Sequence, residues 1–307
     1  MQLATSLSEL SLTSPAVVTI GAFDGVHRGH QALIGGLTAH ARATGRVAVA
    51  ITFSPHPSVF LRGRRPSFYL TTPEEKAGLL AALGVDVLVT HRFDAAFAAI
   101  TAAEYVEQLV RHARMVELWC GADFALGHNR EGNVAYLQAA GERLGFTVRV
   151  QTPVVLDGEI ISSTRIRQCL RDGAVEQAAR LLGRPFRLSG RVVEGARRGR
   201  TIGIPTANLA VAEEHAIPAV GVYVCRADTP QAGGLPAVTN VGYRPTFNST
   251  EPKLTVETHL LDFTGDLYGT TVSLDFIARL RSEMKFAGVE ALIGQIKRDI
   301  ETARTLL

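Results

Sequence analysis

Along the first half of the chain the hydrophobic pattern switches between two periods. The runs VVTIG (17–21), VAVAITF (47–53), VDVLVT (85–90) and MVELWCG (115–121) are apolar at nearly every position, as strands buried on both faces are. Between them, HQALIGGLTAHARATG (30–45), EEKAGLLAALG (74–84), AAEYVEQLVRHA (102–113) and NVAYLQAAGERLG (133–145) carry helical spacing. Several stop at Gly45, Gly84 or Gly145, where glycine accepts the left-handed conformation that ends a helix. Strand and helix in turn predict an α/β unit, a parallel sheet with helices on both faces. Ligands of such sheets bind beyond the carboxyl ends of the strands.

The helix pair TRIRQCLRDG (164–173) and AVEQAARLLG (174–183) closes this unit, and Gly183-Arg184-Pro185 reads as punctuation. Beyond it, GVYVCRAD, LPAVTNVG, KLTVETHLLDF and GTTVSLDFIARL read as short strands separated by glycine- and proline-bearing turns. Such spacing predicts a small antiparallel barrel. Val289, Leu292, Ile293, Ile296 and Ile300 then share one face of a C-terminal helix. Two domains are expected, residues 1–183 and 184–307, with no internal repeat.

Composition adds only limits. The 307 residues are 46% hydrophobic and 20% charged, ordinary for a globular protein with two cores. A net charge of +3 suits anionic small molecules but is too weak and dispersed to indicate nucleic acid. The three cysteines, Cys120, Cys169 and Cys225, form no CxxC pair, which predicts a reducing compartment without thiolate zinc. The N-terminus does not read as a signal peptide, and no run approaches the ~20 apolar residues of a membrane span. A cytoplasmic protein without membrane partners is expected.

The informative chemistry begins at TIGAFDGVHRGHQA (19–32), where His27 and His30 follow a strand and a glycine-bearing turn. Zinc would need further ligands, and the spacing of His56, His91 and His128 reports no site. Ordinary histidines in a helix's first turn are the plain alternative. Against it, both lie on one side of a helix start, where unpaired N–H groups and the macrodipole favour anions. Two imidazoles there would contact phosphate oxygens, and Gly29 would let a nucleotide lie against the backbone. In ISSTRIRQCL (161–170), Ser162, Ser163 and Thr164 occupy capping positions, which plain helix capping would explain, but Arg165 and Arg167 oppose the helix dipole, which an anionic ligand would explain. GADFALGHNREGN (121–133) adds a third polar loop after a strand.

Together with TFSPHP (52–57), these stretches resemble the adenylylating module of prokaryotic bifunctional riboflavin kinase/FAD synthetases, within the HxGH nucleotidyltransferase superfamily. The resemblance runs from about Val17 to Pro185 and implies a Rossmann-like domain that transfers AMP from ATP to FMN, giving FAD and pyrophosphate with Mg²⁺. It implies that His27 and His30 bind ATP phosphates and stabilise the transition state. Gly21, Phe23, Asp24, Gly29, Asn129, Ser163, Thr164, Arg165 and Arg167 would form the nucleotide site. Pro55, Pro57 and Tyr105 would face the flavin, or serve loop rigidity and helix packing. Cys120 stands where an aliphatic residue is expected and is an oxidation liability.

In GRVVEGARRGRTIGIPTANL (190–209), PTAN offers Thr206 and Asn208 two positions apart, on one face of an extended strand. A hydroxyl and an amide carbonyl there could share a hard cation carried by phosphate, or PTAN could be a turn with an arginine-rich rim. This stretch, with GVYV, NVGYRPTF, TVETHLLDF and LRSEMKF in order, resembles the riboflavin kinase domain over roughly Arg187 to Arg298. The resemblance makes Thr206 and Asn208 the Mg²⁺–ATP ligands and Glu257 the base for riboflavin's ribityl alcohol. Gly195, Gly199, Gly203, Pro205 and Arg281 would line the nucleotide and flavin sites, although Arg281 could also be a surface residue. Glu257 could also be a solvent-facing strand residue.

Three alternatives stand beside this reading: one active module only, an RNA-binding HxGH protein, and a flavin sensor without turnover. Aromatic content of 7% and the lack of a basic stripe disfavour RNA, and a sensor leaves the phosphate apparatus unexplained. Riboflavin, FMN and ATP are the expected small-molecule partners. Self-association is left open.

Overall fold

The structure, a computed structural model, describes residues 1–63, 68–195, 203–244 and 253–307, except for the side chains of Arg244 and Lys253. By its contacts the chain forms two compact units. The first is built from the N-terminal segment and Thr71–Ser163; the second from Thr164–Leu307, joined by Phe68, Tyr69 and Leu70.

The first unit holds a six-stranded parallel sheet of β1 (Gln2–Ala4), β2 (Ala16–Ile20), β3 (Val47–Ser54), β4 (Val87–Arg92), β5 (Met115–Gly121) and β6 (Thr147–Gln151). Its order is β1-β4-β3-β2-β5-β6. All four apolar runs became central strands, and the cause is visible in the packing. Val18, Val49, Ile51 and Val89 face Val106, Leu109 and Leu137 of helices α4 (Ala102–His112) and α5 (Val134–Leu144). Val17, Ala48, Ala50 and Leu88 face Ile34, Leu37 and Leu80 on the other side, from α1 (Arg28–Ala43) and α3 (Pro73–Ala82). A short helix α2 (Pro57–Arg62) follows β3. The chain moves outward from β2 through β3 and β4, then crosses back to β5 on the other side. The carboxyl ends of β2 and β5 therefore form the topological switch point.

One buried charge interrupts this apolar order. Glu117 on β5, 6% exposed, accepts from His40 Nε2 and Arg149 Nε at 2.9 Å, from Trp119 Nε1 at 3.2 Å, and from Arg46. Although burial pushes its carboxyl up, the hydrogen bonds from His40, Trp119 and Arg149 outweigh that and hold it at about 2.

The second unit is a closed barrel of β7 (Phe186–Val193), β8 (Ala207–Ala210), β9 (Gly221–Asp228), β10 (Leu235–Arg244), β11 (Lys253–Leu260) and β12 (Thr271–Arg281). The antiparallel order is β7-β8-β11-β10-β9-β12, with β12 closing on β7. Phe186, Tyr223 and Phe276 fill the lumen, the last two edge to face at 5.2 Å. The alternate residues Val222, Val224 and Val238 point outward and are covered by Ile300 and Ala303 of the C-terminal helix α8 (Val289–Leu306). The pair α6 (Ser163–Arg171) and α7 (Val175–Leu182), which the punctuation at residue 183 assigns to the first unit, lies with the barrel from Thr164 onward. Helix α7 packs on β7 and β12, burying Val175, Ala178, Leu181 and Leu182, and Glu176 accepts the Arg279 N–H at 3.0 Å.

Candidate functional site

In the first unit, the turn Gly21–Val26 leaves the carboxyl end of β2 and delivers the chain to α1. It is backbone-strained: Phe23 and Val26 sit at φ 47° and 40°, Gly25 at φ 80°. Side chains from four segments hold it. Ala22 C=O accepts from Thr52 Oγ1 at 3.0 Å and from Lys76 Nζ at 3.1 Å. The carboxylate of Asp24, 3% exposed, accepts from the Thr71 N–H at 3.3 Å, while Thr71 Oγ1 accepts from the Gly25 N–H at 3.2 Å. Ser163 Oγ donates to Asp24 C=O at 2.9 Å, and Gln31 Nε2 to Val26 C=O at 2.8 Å. A Cβ on Gly21 would come within 2.9 Å of the Phe23 ring, which lies across the turn.

The two histidines differ in role. His27 is the N-cap of α1, its Nδ1 accepting the His30 N–H at 3.3 Å. His30 lies in the helix, stacked on His27 with ring centroids 3.6 Å apart and edge-on to Phe23 at 5.3 Å. The His30 Nδ1 is buried with no partner among the described residues. Burial first, then the neighbouring His27 and Lys76, hold its pKa well below the usual histidine value, so the ring is neutral at pH 7. A Cβ on Gly29 would lie 3.1 Å from the His27 ring, so glycine also makes room for the cap.

The other expected residues scatter. Asn129 is exposed in the loop beyond β5, at φ 52°. That loop leaves the strand neighbouring β2, at the same end of the sheet. Pro55 is exposed, and Pro57 occupies the first turn of α2, whose cap is His56. Tyr105 is 3% exposed among Phe97 and His91, so helix packing accounts for its ring; its hydroxyl is buried with no partner among the described residues. Thr164 and Arg165 open α6 in the second unit, and Arg167 donates to Phe68 C=O at 2.6 Å with its guanidinium 4.0 Å above the Phe68 ring.

The barrel gathers its residues by register. Asn208 lies opposite Glu257, Glu257 opposite Asn240, Asn240 opposite Val222, and Val222 opposite Arg281. Directly opposed residues point to the same face, so these form one rung on the outer face of the barrel. A cavity of about 370 Å³ lies between that face and α8, with Thr206, Asn240, Glu257 and Arg281 in its wall. Val238, Met284, Phe286, Leu292 and Ile296 make much of the rest apolar. A second cavity of about 470 Å³ is lined by Pro205, Thr206, Leu260, Phe263, Asp266 and Tyr268, among others. Thr206 is a wall of both. Arg281 is no surface residue: its guanidinium meets the Asp299 carboxylate of α8 at 2.7 Å, and Asp299 is 5% exposed. His259 Nδ1 donates to Pro205 C=O at 2.7 Å and fixes the start of PTAN.

Thr206 and Asn208 fit a magnesium ion only if phosphate completes its shell. Both are neutral oxygen donors, and no group of three His, Cys, Asp or Glu side chains among the described residues could hold a metal. Gly195 bears on this directly, because a Cβ there would stand 2.2 Å from Asn208 Nδ2. Gly195→Ala is expected to push the Asn208 amide aside. Gly203 and Pro205 lie just before β8; Gly199 and its neighbours Arg197, Arg198 and Arg200 lie outside the described residues.

The FAD synthetase family profile matches residues 10–165, and the riboflavin kinase profile residues 182–307. The bifunctional riboflavin kinase/FMN adenylyltransferase of Escherichia coli K12 is 42% identical over 290 residues, covering 94% of this chain and 91% of its own. This chain belongs to the bifunctional riboflavin kinase/FMN adenylyltransferase family. The Haemophilus influenzae member is 38% identical, covering 94% and 92%. A crystal structure described as a macrolide-efflux protein from Streptococcus pneumoniae has a TM-score of 0.90 at 33% identity, covering 98% of both chains. Among the described residues no helix is long and apolar enough to cross a membrane.

For a member of this family, two features escaped the reading of the sequence. Lys76 reaches the strained turn from α3, although it is the only lysine before residue 253 in an arginine-rich chain, which could have marked it. Asn240 flanks Glu257 on the rung, inside the quoted NVGYRPTF. Cys120 corrects an expectation: it is 1% exposed, and burial pushes its thiol up to about 11, so it is not an oxidation liability.

Proposed function

We propose that the two family activities are divided between residues 184–307, which phosphorylate riboflavin to FMN, and residues 1–183, which adenylylate FMN to FAD. The observation that carries the kinase half is Thr206, standing between an apolar cavity beside Glu257 and a second, more polar cavity. The apolar side takes the isoalloxazine and directs the ribityl alcohol toward Glu257. The other side takes ATP. Magnesium, when bound with phosphate oxygens at Thr206 and Asn208, neutralises charge on the transferring group. Glu257 accepts the proton of the primary alcohol as its oxygen bonds to the γ-phosphorus, and ADP leaves.

In the first unit a phosphate oxygen of FMN attacks the α-phosphorus of ATP, and pyrophosphate leaves. His27 and the neutral His30 donate hydrogen bonds to the developing negative charge, from a helix start whose dipole favours it. Asn129, Ser163, Thr164, Arg165 and Arg167 are assigned to the triphosphate, and Pro55 and Pro57 to the flavin. A cytoplasmic setting belongs to the same reading and rests on the three free cysteines.

The test is a chromatogram. Purified protein with riboflavin, ATP and Mg²⁺ is expected to accumulate FMN and then FAD, both blocked by EDTA and restored by added Mg²⁺. Absence of both products from active-temperature incubations would overturn the proposal, and FMN without FAD would confine it to the barrel.

A further inference from the structure

Lys76 is a half-buried cation that none of the roles above uses. It lies on α3, behind a turn more than fifty residues earlier in the chain. Its ammonium donates to Ala22 C=O at 3.1 Å and to Thr52 Oγ1 at 3.0 Å, and Thr52 Oγ1 donates in turn to the same carbonyl at 3.0 Å. The three groups form a closed hydrogen-bond triangle under the peptide that joins Ala22 to Phe23. No charged partner lies in that triangle; Asp24 acts on the ammonium from a distance, and burial outweighs it in drawing the lysine pKa down.

Two consequences follow from the geometry. The peptide is trans, because the one cis bond of the described chain is Ser54–Pro55. Its N–H therefore points away from its C=O. Pinning Ala22 C=O toward Lys76 fixes the Phe23 N–H toward the opposite side, in a turn whose φ of 47° at Phe23 would otherwise relax. The ammonium also adds positive potential beside His30, whose Coulomb neighbours are His27 and this lysine. Lysine suits the position better than arginine, since a compact ammonium serves two convergent acceptors that a planar fork would not.

We propose that Lys76 is a positioning residue for adenylyl transfer, holding the Ala22–Phe23 peptide and the field around His30 in the arrangement that stabilises charge at the α-phosphorus. This rests on the assignment of adenylyl transfer to the His27–His30 turn. Lys76 acts through the turn and through His30, without touching the nucleotide itself, so its removal is expected in kcat rather than in substrate affinity.

The experiment uses the full chain. Lys76→Met is expected to lower kcat for FAD formation from supplied FMN by at least tenfold, with KM for FMN and ATP within threefold. Riboflavin phosphorylation by the same preparation should stay within twofold and reports that the protein is folded. Lys76→Cys should be equally slow, and alkylation with 2-bromoethylamine, which rebuilds an ammonium at the same reach, should restore most of the rate; the parent protein treated alike is the control. A Lys76→Met enzyme with kcat within twofold of the parent overturns the proposal. So does a slow Lys76→Cys enzyme that stays slow once mass spectrometry shows the aminoethyl group at that position. His30→Ala run in parallel separates the two levels: if it keeps full FAD formation, the assignment of the turn fails; if it is inactive while Lys76→Met is unimpaired, only the role of Lys76 fails.

Discussion

Glu257→Ala is expected to abolish FMN formation from riboflavin while leaving the conversion of supplied FMN into FAD intact. Glu257 stands on the outer face of the barrel between two neutral amides, Asn208 and Asn240, in register on the neighbouring strands. Neither amide can take a proton from an alcohol, and the other acidic wall residues are Glu283 and Asp299. Asp299 is engaged by Arg281 at 2.7 Å, so it is not available as a base. General-base catalysis contributes about 10²–10⁴-fold, and the kinase rate should fall by that order. Glu257→Gln keeps the shape and removes the basicity. Both variants lack the basic carboxylate, so they should fall together if the carboxylate is the acceptor. Steady-state rates with riboflavin, and separately with FMN, check both arms. A Glu257→Gln enzyme with the parent's kinase rate would remove Glu257 from the mechanism.

His30→Ala should produce the opposite split: riboflavin is converted to FMN and the reaction stops there. Loss of one preorganised donor to a developing oxyanion costs about 10²–10³-fold in kcat. The effect should exceed that figure's lower end, because His30 also buttresses its neighbours. Its ring stacks on His27 at 3.6 Å and meets Phe23 edge-on, so truncation loosens the cap and the turn together. The neutral state of His30 sharpens this expectation. In the proposed reaction the ring serves as a hydrogen-bond donor rather than a fixed cation, and a bound phosphate would raise its pKa by supplying a negative partner. FMN and FAD quantified over time, starting from riboflavin, measure the split. If either substitution stopped both reactions in a folded protein, the assignment of separate sites would be wrong.

How much of this was readable in advance depends on whether a feature is local. The central strands announce themselves because a parallel sheet covered on both faces demands apolar residues at every position. Edge strands make no such demand. Gln2–Ala4 has three residues with Leu3 66% exposed, and Thr147–Gln151 is largely exposed, so neither carries a pattern. The barrel was legible as a class from four of its strands. Phe186–Val193 escaped although Phe186, Leu188 and Val192 alternate with less buried positions, and the four-residue Ala207–Ala210 was legible only as the extended end of PTAN. Site residues divide the same way. His27 and His30 stand together in one motif, and PTAN is contiguous. The rung of Asn208, Glu257 and Asn240 exists only once strand register is known, and Lys76 reaches its carbonyl from a distant helix. Gly29 shows a subtler limit: its tight approach to the His27 ring is visible only in the folded turn.

Thr206 lines both cavities of the barrel. A shared wall cannot be reshaped for one ligand alone, so altered substrate preference has to be built away from it. Flavin analogues with larger or smaller ring systems would be discriminated by Val238, Met284, Phe286, Leu292 and Ile296, several of them on or next to the C-terminal helix. Discrimination among nucleotide bases would fall to Phe263, Tyr268 and Leu260 in the other cavity. With the ligands divided as proposed, the barrel offers two independently adjustable selectivity surfaces joined at Thr206.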